Sequence, residues 1–128
     1  MKVLGQRALN RALLARQLLL ERRRLPLARA VERIGGIQDQ YAPNAYIRLA
    51  SCLEDFRRAD LTRALERRSV VQATLMRATI HVVSRRDFWP LAVAIRRAQR
   101  DWWLRAQRPR PDPRALERYK ALEARRLE

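Results

Sequence analysis

The sequence predicts a mainly α-helical chain with one small β-hairpin. Apolar residues recur at helical spacing through most of its 128 residues. Pro26, Pro43 and the pair Gly35-Gly36 punctuate that pattern into short helices. Between Val70 and Val83 the composition turns β-branched, in two runs separated only by Arg77-Ala78.

Taken in order, Met1 to Gly5 reads as a short strand or a frayed start. Leu9, Leu13, Leu14 and Leu18 recur at i, i+4 and i+5 and predict a helix from about Arg7 to Arg23. Its basic end, Arg22 to Arg24, would complement a helix C-terminus. Pro26 suits the first turn of a second helix, which buries Leu27, Ala30, Val31 and Ile34 and stops at the glycines. Pro43 and Asn44 open a third, with Ala45, Leu49, Cys52 and Leu53 inward. A fourth is expected from about Asp60 to Arg68, with Asp60 as its N-cap.

Ser84-Arg85-Arg86-Asp87 resembles a capping box with Asp for Glu and starts a long helix. Phe88, Leu91, Ala92, Ile95, Gln99, Trp102 and Ala106 form its stripe, and Trp89, Val93 and Trp103 fall off it. Arg108 to Pro113 reads as a stiff linker, after which Asp112 and Pro113 cap a last, highly charged helix. The expected organisation is therefore one domain over residues 1–107 and an appended linker and helix over 108–128.

Composition narrows the function. Apolar residues make up 48% of the chain and charged ones 33%, a globular balance. No run of about 18 apolar residues is present, so no transmembrane helix is expected, and Leu18 to Leu20 between Arg16 and Glu21 make no signal peptide. Cys52 is the lone cysteine and His81 the lone histidine, too few for a Cys/His zinc site. No phosphate loop or Ser/His/Asp arrangement can be assembled, and neither cofactor nor metal is expected. A reducing, cytoplasmic, nucleoid-associated location is expected.

The net charge of +16 points to a polyanion, and nearly all of it is arginine, since Lys2 and Lys120 are the only lysines. GC-rich coding also enriches Arg, Ala and Leu, but the excess of base over acid is large. Helix, helix, helix and hairpin is the order of a winged helix-turn-helix. The helix before the hairpin would enter the major groove of double-stranded DNA, and the hairpin would be the wing. Arg57, Arg58, Arg63, Arg67 and Arg68 at that helix and Arg77 at the wing tip are the candidate DNA contacts.

The stretch after the glycines carries the remaining chemistry. If Gln38, Asp39 and Gln40 are extended, the two amides share one side and Asp39 takes the other. Each amide offers both donor and acceptor atoms.

With these residues placed, the chain resembles a bacterial family of winged-helix DNA glycosylases that excise alkylated bases and unhook interstrand crosslinks. The resemblance is carried by residues 9–17, by Gly36-Ile37-Gln38-Asp39-Gln40, by 60–66 and by 74–81. It reaches the first of several stacked modules in that family. It implies that Gln38 and Gln40 are the catalytic pair and that His81 lies near the DNA; a packed core histidine is the other reading of His81. A base alkylated on N7 or N3 is already cationic and leaves without a general acid. The amide oxygens then need only hold a water and face the positive charge on the sugar.

Two departures stand out. Asp39 occupies a usually apolar position, where it either faces solvent or adds a carboxylate to the site. Ala78 stands where the wing turn often has glycine, which disfavours a turn of positive φ. Whether one module is an enzyme is left open by the sequence. The rival readings are a non-enzymatic winged-helix regulator and an interaction module, with further modules or a second copy meeting the C-terminal helices.

Overall fold

The computed structural model describes residues 3–106, 112–114 and 117–118. The chain divides into two compact units, Met1–Ala94 and Ile95–Glu128. The expected boundary near 107–108 falls on residues outside those described, as does most of the last helix.

The first unit opens with α1 (Gln6–Arg16). This helix is shorter than the periodicity suggested. Gln17 caps it, and Leu18 turns into the left-handed region at φ 55°, where Leu19 N–H closes back on Leu14 O. Left-handed backbone is unfavourable for leucine, and burial of the Leu18 side chain offsets that strain. Leu9, Leu13 and Leu14, whose recurrence predicts the helix, are exposed. Arg22 to Arg24 consequently lie beyond the helix. Arg23 N–H bonds Cys52 O at 2.8 Å, and Arg24 pairs with Glu54 at 2.6 Å.

Next come α2 (Leu27–Ile34), β1 (Ile37–Gln38), α3 (Asn44–Cys52) and α4 (Arg58–Glu66). The glycines end α2 as expected. Gly35 takes φ 77°, and a Cβ on Gly36, at φ 94°, would meet Val83 Cγ1 at 2.9 Å. Arg57, not Asp60, occupies the N-cap of α4. Asp60 sits one turn inside and accepts the Arg57 N–H at 2.7 Å, the carboxylate half of a capping box. A guanidinium has no acceptor for the other half.

Strands β2 (Val70–Thr74) and β3 (Ile80–Ser84) form the hairpin. The sheet is antiparallel in the order β1-β3-β2, with Ile37 and Gln72 both in register with Val82. A mainly helical chain with this element order and small sheet has the architecture of a winged helix. The core is Ala30 and Val31 of α2, Ala45, Leu49 and Cys52 of α3, Leu61 of α4, and Val70 and Val82 of the sheet. Cys52 is a buried free thiol; burial raises its pKa, and the Arg48 guanidinium, 2.8 Å from Sγ, pulls the other way.

Helix α5 (Arg85–Ala106) begins as expected, with Ser84 Oγ accepting the Asp87 N–H at 3.1 Å. Phe88, Leu91 and Ala92 are half-buried and Trp89 and Val93 exposed, matching the expected stripe. Near the C-terminal end the two tryptophans exchange places, Trp102 being exposed and Trp103 half-buried. Both lie within one turn of Gln99, and a 3.6-residue period drifts off a fixed count by that distance.

At the hairpin tip, Arg77 and Ala78 both hold positive φ, 54° and 57°, and Thr79 N–H closes on Met76 O at 3.2 Å. A two-residue turn with positive φ at both centres matches the strand twist, so strand pairing overrides the reluctance of alanine. Ala78→Gly should therefore stabilise the chain by about 0.5–1 kcal/mol. A thermal unfolding midpoint that rises by several degrees checks this; an unchanged or lower midpoint contradicts it.

Candidate functional site

The glycine pair turns the chain from α2 straight into β1, and β1 pairs with β3 so that Gln38 stands opposite His81. Strand alternation then sorts the side chains. Gln38 and Gln40 are exposed, while Asp39 is 6% exposed and faces the interior. Of the two readings of Asp39, solvent or active-site carboxylate, the structure supports neither.

Asp39 is instead a three-way tie, two of its bonds made by the carboxylate and one by the backbone. Its Oδ1 accepts the Ala45 N–H at 3.0 Å, and its Oδ2 accepts Gln72 Nε2 at 2.7 Å. Its own N–H donates to Ile80 O at 2.8 Å, continuing the β1–β3 ladder past Gln38. Ala45 lies in the first turn of α3, whose N-cap is Pro43, a residue without a side-chain acceptor. Asp39 supplies from a distance the cap that Pro43 cannot, and a carboxylate at a helix N-terminus also meets the favourable end of the dipole.

The two glutamines are not equivalent. Gln40 Oε1 accepts the Ile80 N–H at 3.1 Å, so that amide is anchored and its NH₂ is left to face outward. The Gln38 amide makes no side-chain hydrogen bond among the described residues and is free to reorient. Two oxygens facing a sugar cation in the same way is therefore not the resting geometry: Gln38 offers an unengaged oxygen, and Gln40 one remaining lone pair. His81 is buried, and its Nδ1 lies 2.9 Å from Thr79 O. A carbonyl oxygen can only accept, so Nδ1 donates to Thr79 O.

The arginines at α4 are all exposed: Arg57 and Arg58 at its start, Arg63 within it, and Arg67 and Arg68 at its end. Arg63 is bound to Asp60, which neutralises part of its charge. Among the described residues no carboxylate pairs with Arg57, Arg58, Arg67, Arg68 or Arg77. The Arg58 guanidinium instead lies over the Tyr46 ring, 5.4 Å from its centroid.

The sequence reading missed Asp39 as a cap, Gln72 as its partner, and the contact between Arg58 and Tyr46. The first had a signal: a helix start with proline at the cap position and an acid a few residues upstream. The other two depend on folding that brings distant parts of the chain together. Among the described residues no cluster of His, Cys, Asp and Glu could hold a metal ion, and no helix is long and apolar enough to cross a membrane.

A family profile described as DNA glycosylase AlkZ-like matches residues 31–128. The chain belongs to that family. Among solved structures, the Streptomyces sahachiroi DNA glycosylase AlkZ is similar over 61% of this chain, with 24% identity and a TM-score of 0.56. The alignment covers 21% of that protein, so this chain spans about a fifth of its length. No curated protein matches. The resemblance read from Gly36 to Gln40 and from the hairpin is thus matched by the family profile, and the likeness to the solved structure supports the same fold.

Removing the Asp39 carboxylate should be costly, because the Ala45 N–H is fully buried and would lose its acceptor. Asp39→Ala is expected to destabilise the chain by about 2–3 kcal/mol, and Gln40→Ala, at an exposed site, by less than about 1 kcal/mol. Urea unfolding midpoints of the two variants measure the difference. Equal midpoints would mean that Asp39 is no keystone.

Proposed function

We propose that this chain is a DNA-binding module of a base-excising enzyme, with Gln38 and Gln40 as its reacting-site amides. The observation that carries this reading is the alternation fixed by buried Asp39, which leaves both amides on an exposed face in a chain of the AlkZ-like family. Double-stranded DNA is the partner, held by the net charge of +16. Helix α4 would lie in the major groove, with Arg57, Arg58, Arg67 and Arg68 on phosphates or base edges. Arg77 at the wing tip would meet the backbone or minor groove.

The chemistry follows from what an amide can do. An alkylated purine carries a positive charge, so the N-glycosidic bond breaks with its electron pair moving onto the base, which leaves neutral. Positive charge then develops on the sugar, where the Gln38 oxygen can face it and hold a water for attack on C1′. Since an amide is no base, the water's proton passes to solvent. Gln40, fixed through Ile80, would orient the sugar or phosphate with its outward NH₂. His81, in register with Gln38, would support that row of side chains from within the sheet.

A second reading is favoured by one fact, that the chain spans 21% of its structural neighbour. On that reading it binds DNA, and chemistry needs further modules or a second copy, because distorted DNA must be held from several sides.

The test is release of base from a duplex containing N7-methylguanine, scored as abasic sites. Gln38→Ala with Gln40→Ala should lower release by about 100-fold or more while duplex binding is kept. Binding without release, in native chain and variant alike, would establish the second reading. Absence of duplex binding at low salt would overturn both. Arg67→Gln with Arg68→Gln should weaken binding to all duplexes alike. The slope of log K against log salt should also fall by about 1 for each phosphate no longer neutralised.

A further inference from the structure

We infer that the cleft between the N-terminal turns of α3 and α4 is a seat for a neutral, unpaired nucleobase of the bound duplex. The cleft has a volume of about 280 Å³ and is lined by Ala42, Pro43, Tyr46, Ile47 and Arg58. Its size suits a single flat ring system rather than an extended ligand. The walls are apolar, and Ile47 is 61% exposed at the rim although nothing in the core needs it there.

The charged wall is Arg58, whose charge is not spent on a carboxylate among the described residues. Arg24, Arg29 and Arg63 are each paired with a carboxylate. Arg58 has no such partner among the described residues and lies over Tyr46 at 5.4 Å. Cation–π attraction holds the Arg58 guanidinium over the ring without engaging its N–H donors. Those donors match the carbonyl oxygen of a nucleobase, while the apolar walls take the ring faces. A phosphate alone would leave those walls unused. A cationic alkylated base would be repelled by Arg58, so the occupant is neutral.

The place also fits. Ala42 follows Gln40 by two residues, a separation of at most about 7 Å, and the Asp39–Ala45 bond fixes this end of α3 against β1. A base held in the cleft is thus unstacked next to the amide pair. The inference rests on the DNA-binding reading but not on catalysis.

The test compares affinity for two duplexes, one fully paired and one carrying a single bulged thymine. The native chain should prefer the bulged duplex by about tenfold, as expected for stacking one base on an aromatic platform. Ala42→Trp, at an exposed position, should abolish the preference and leave affinity for the paired duplex within about twofold. Arg58→Lys, which keeps the charge and loses the planar fork, should also abolish the preference, whatever it does to affinity for the paired duplex. Arg57→Gln, outside the cleft, should weaken both duplexes and keep the preference. Equal affinities in the native chain, or a preference that survives both cleft variants, would overturn the cleft. If neither duplex binds, the DNA-binding reading falls and the cleft with it. Preference of free thymine for the native chain over Ala42→Trp would also count for the cleft.

Discussion

The arrangement of this chain depends on one buried carboxylate. Asp39 joins the end of β1 to the first turn of α3 and, through Gln72, to β2 across the sheet. Each tie satisfies a group that would otherwise be costly: a buried backbone N–H, an uncapped helix start, a side-chain amide. Because strand parity is strict, holding Asp39 inward forces Gln38 and Gln40 outward. A structural constraint at one residue thereby sets the chemistry available at its two neighbours. An apolar residue could fill the same space but could not cap α3, whose own cap position is a proline.

The sequence made local features legible where the physics is local. The glycine pair after Ile34 needs positive φ at both positions, and composition alone reveals that requirement. The hairpin was readable because Val70 to Val71 and Ile80 to Val83 are β-branched and the gap between them is short. Strand β1 was not, since two residues show no period; it exists because β3 offers it an edge. The end of α1 was misjudged for a related reason. Nothing in the local pattern marks Leu18 as a helix breaker, and only its burial among distant residues explains its left-handed backbone. The candidate site followed the same division. The amide pair was visible as spacing, but the tether on Gln40 and the stack of Arg58 on Tyr46 are products of long-range contact.

Charge was informative in total and less so residue by residue. Of the arginines near α4, Arg63 is partly spent on Asp60 within the helix, whereas Arg67 and Arg68 stand at its C-terminal end, where their own N–H groups close on the Arg63 and Leu65 carbonyls. Like charges there are tolerated because the macrodipole favours them, and they remain available to an incoming phosphate. Arg58 differs again, since an aromatic ring rather than a carboxylate holds it in place. The arginines of one short helix thus sit in three electrostatic settings that net charge does not distinguish.

Chemical-shift mapping of the backbone and side-chain amides during titration with a short duplex tests the account most directly. The amide pair, α4 and the wing tip should respond together. The expected result is perturbation at Gln38 to Ala42, along Arg58 to Arg67 and at Met76 to Ala78, with the Gln38 side-chain NH₂ shifting more than the tethered Gln40. Perturbation confined to the exposed leucines of α1, or a Gln38 amide that ignores DNA while α4 responds, would contradict it.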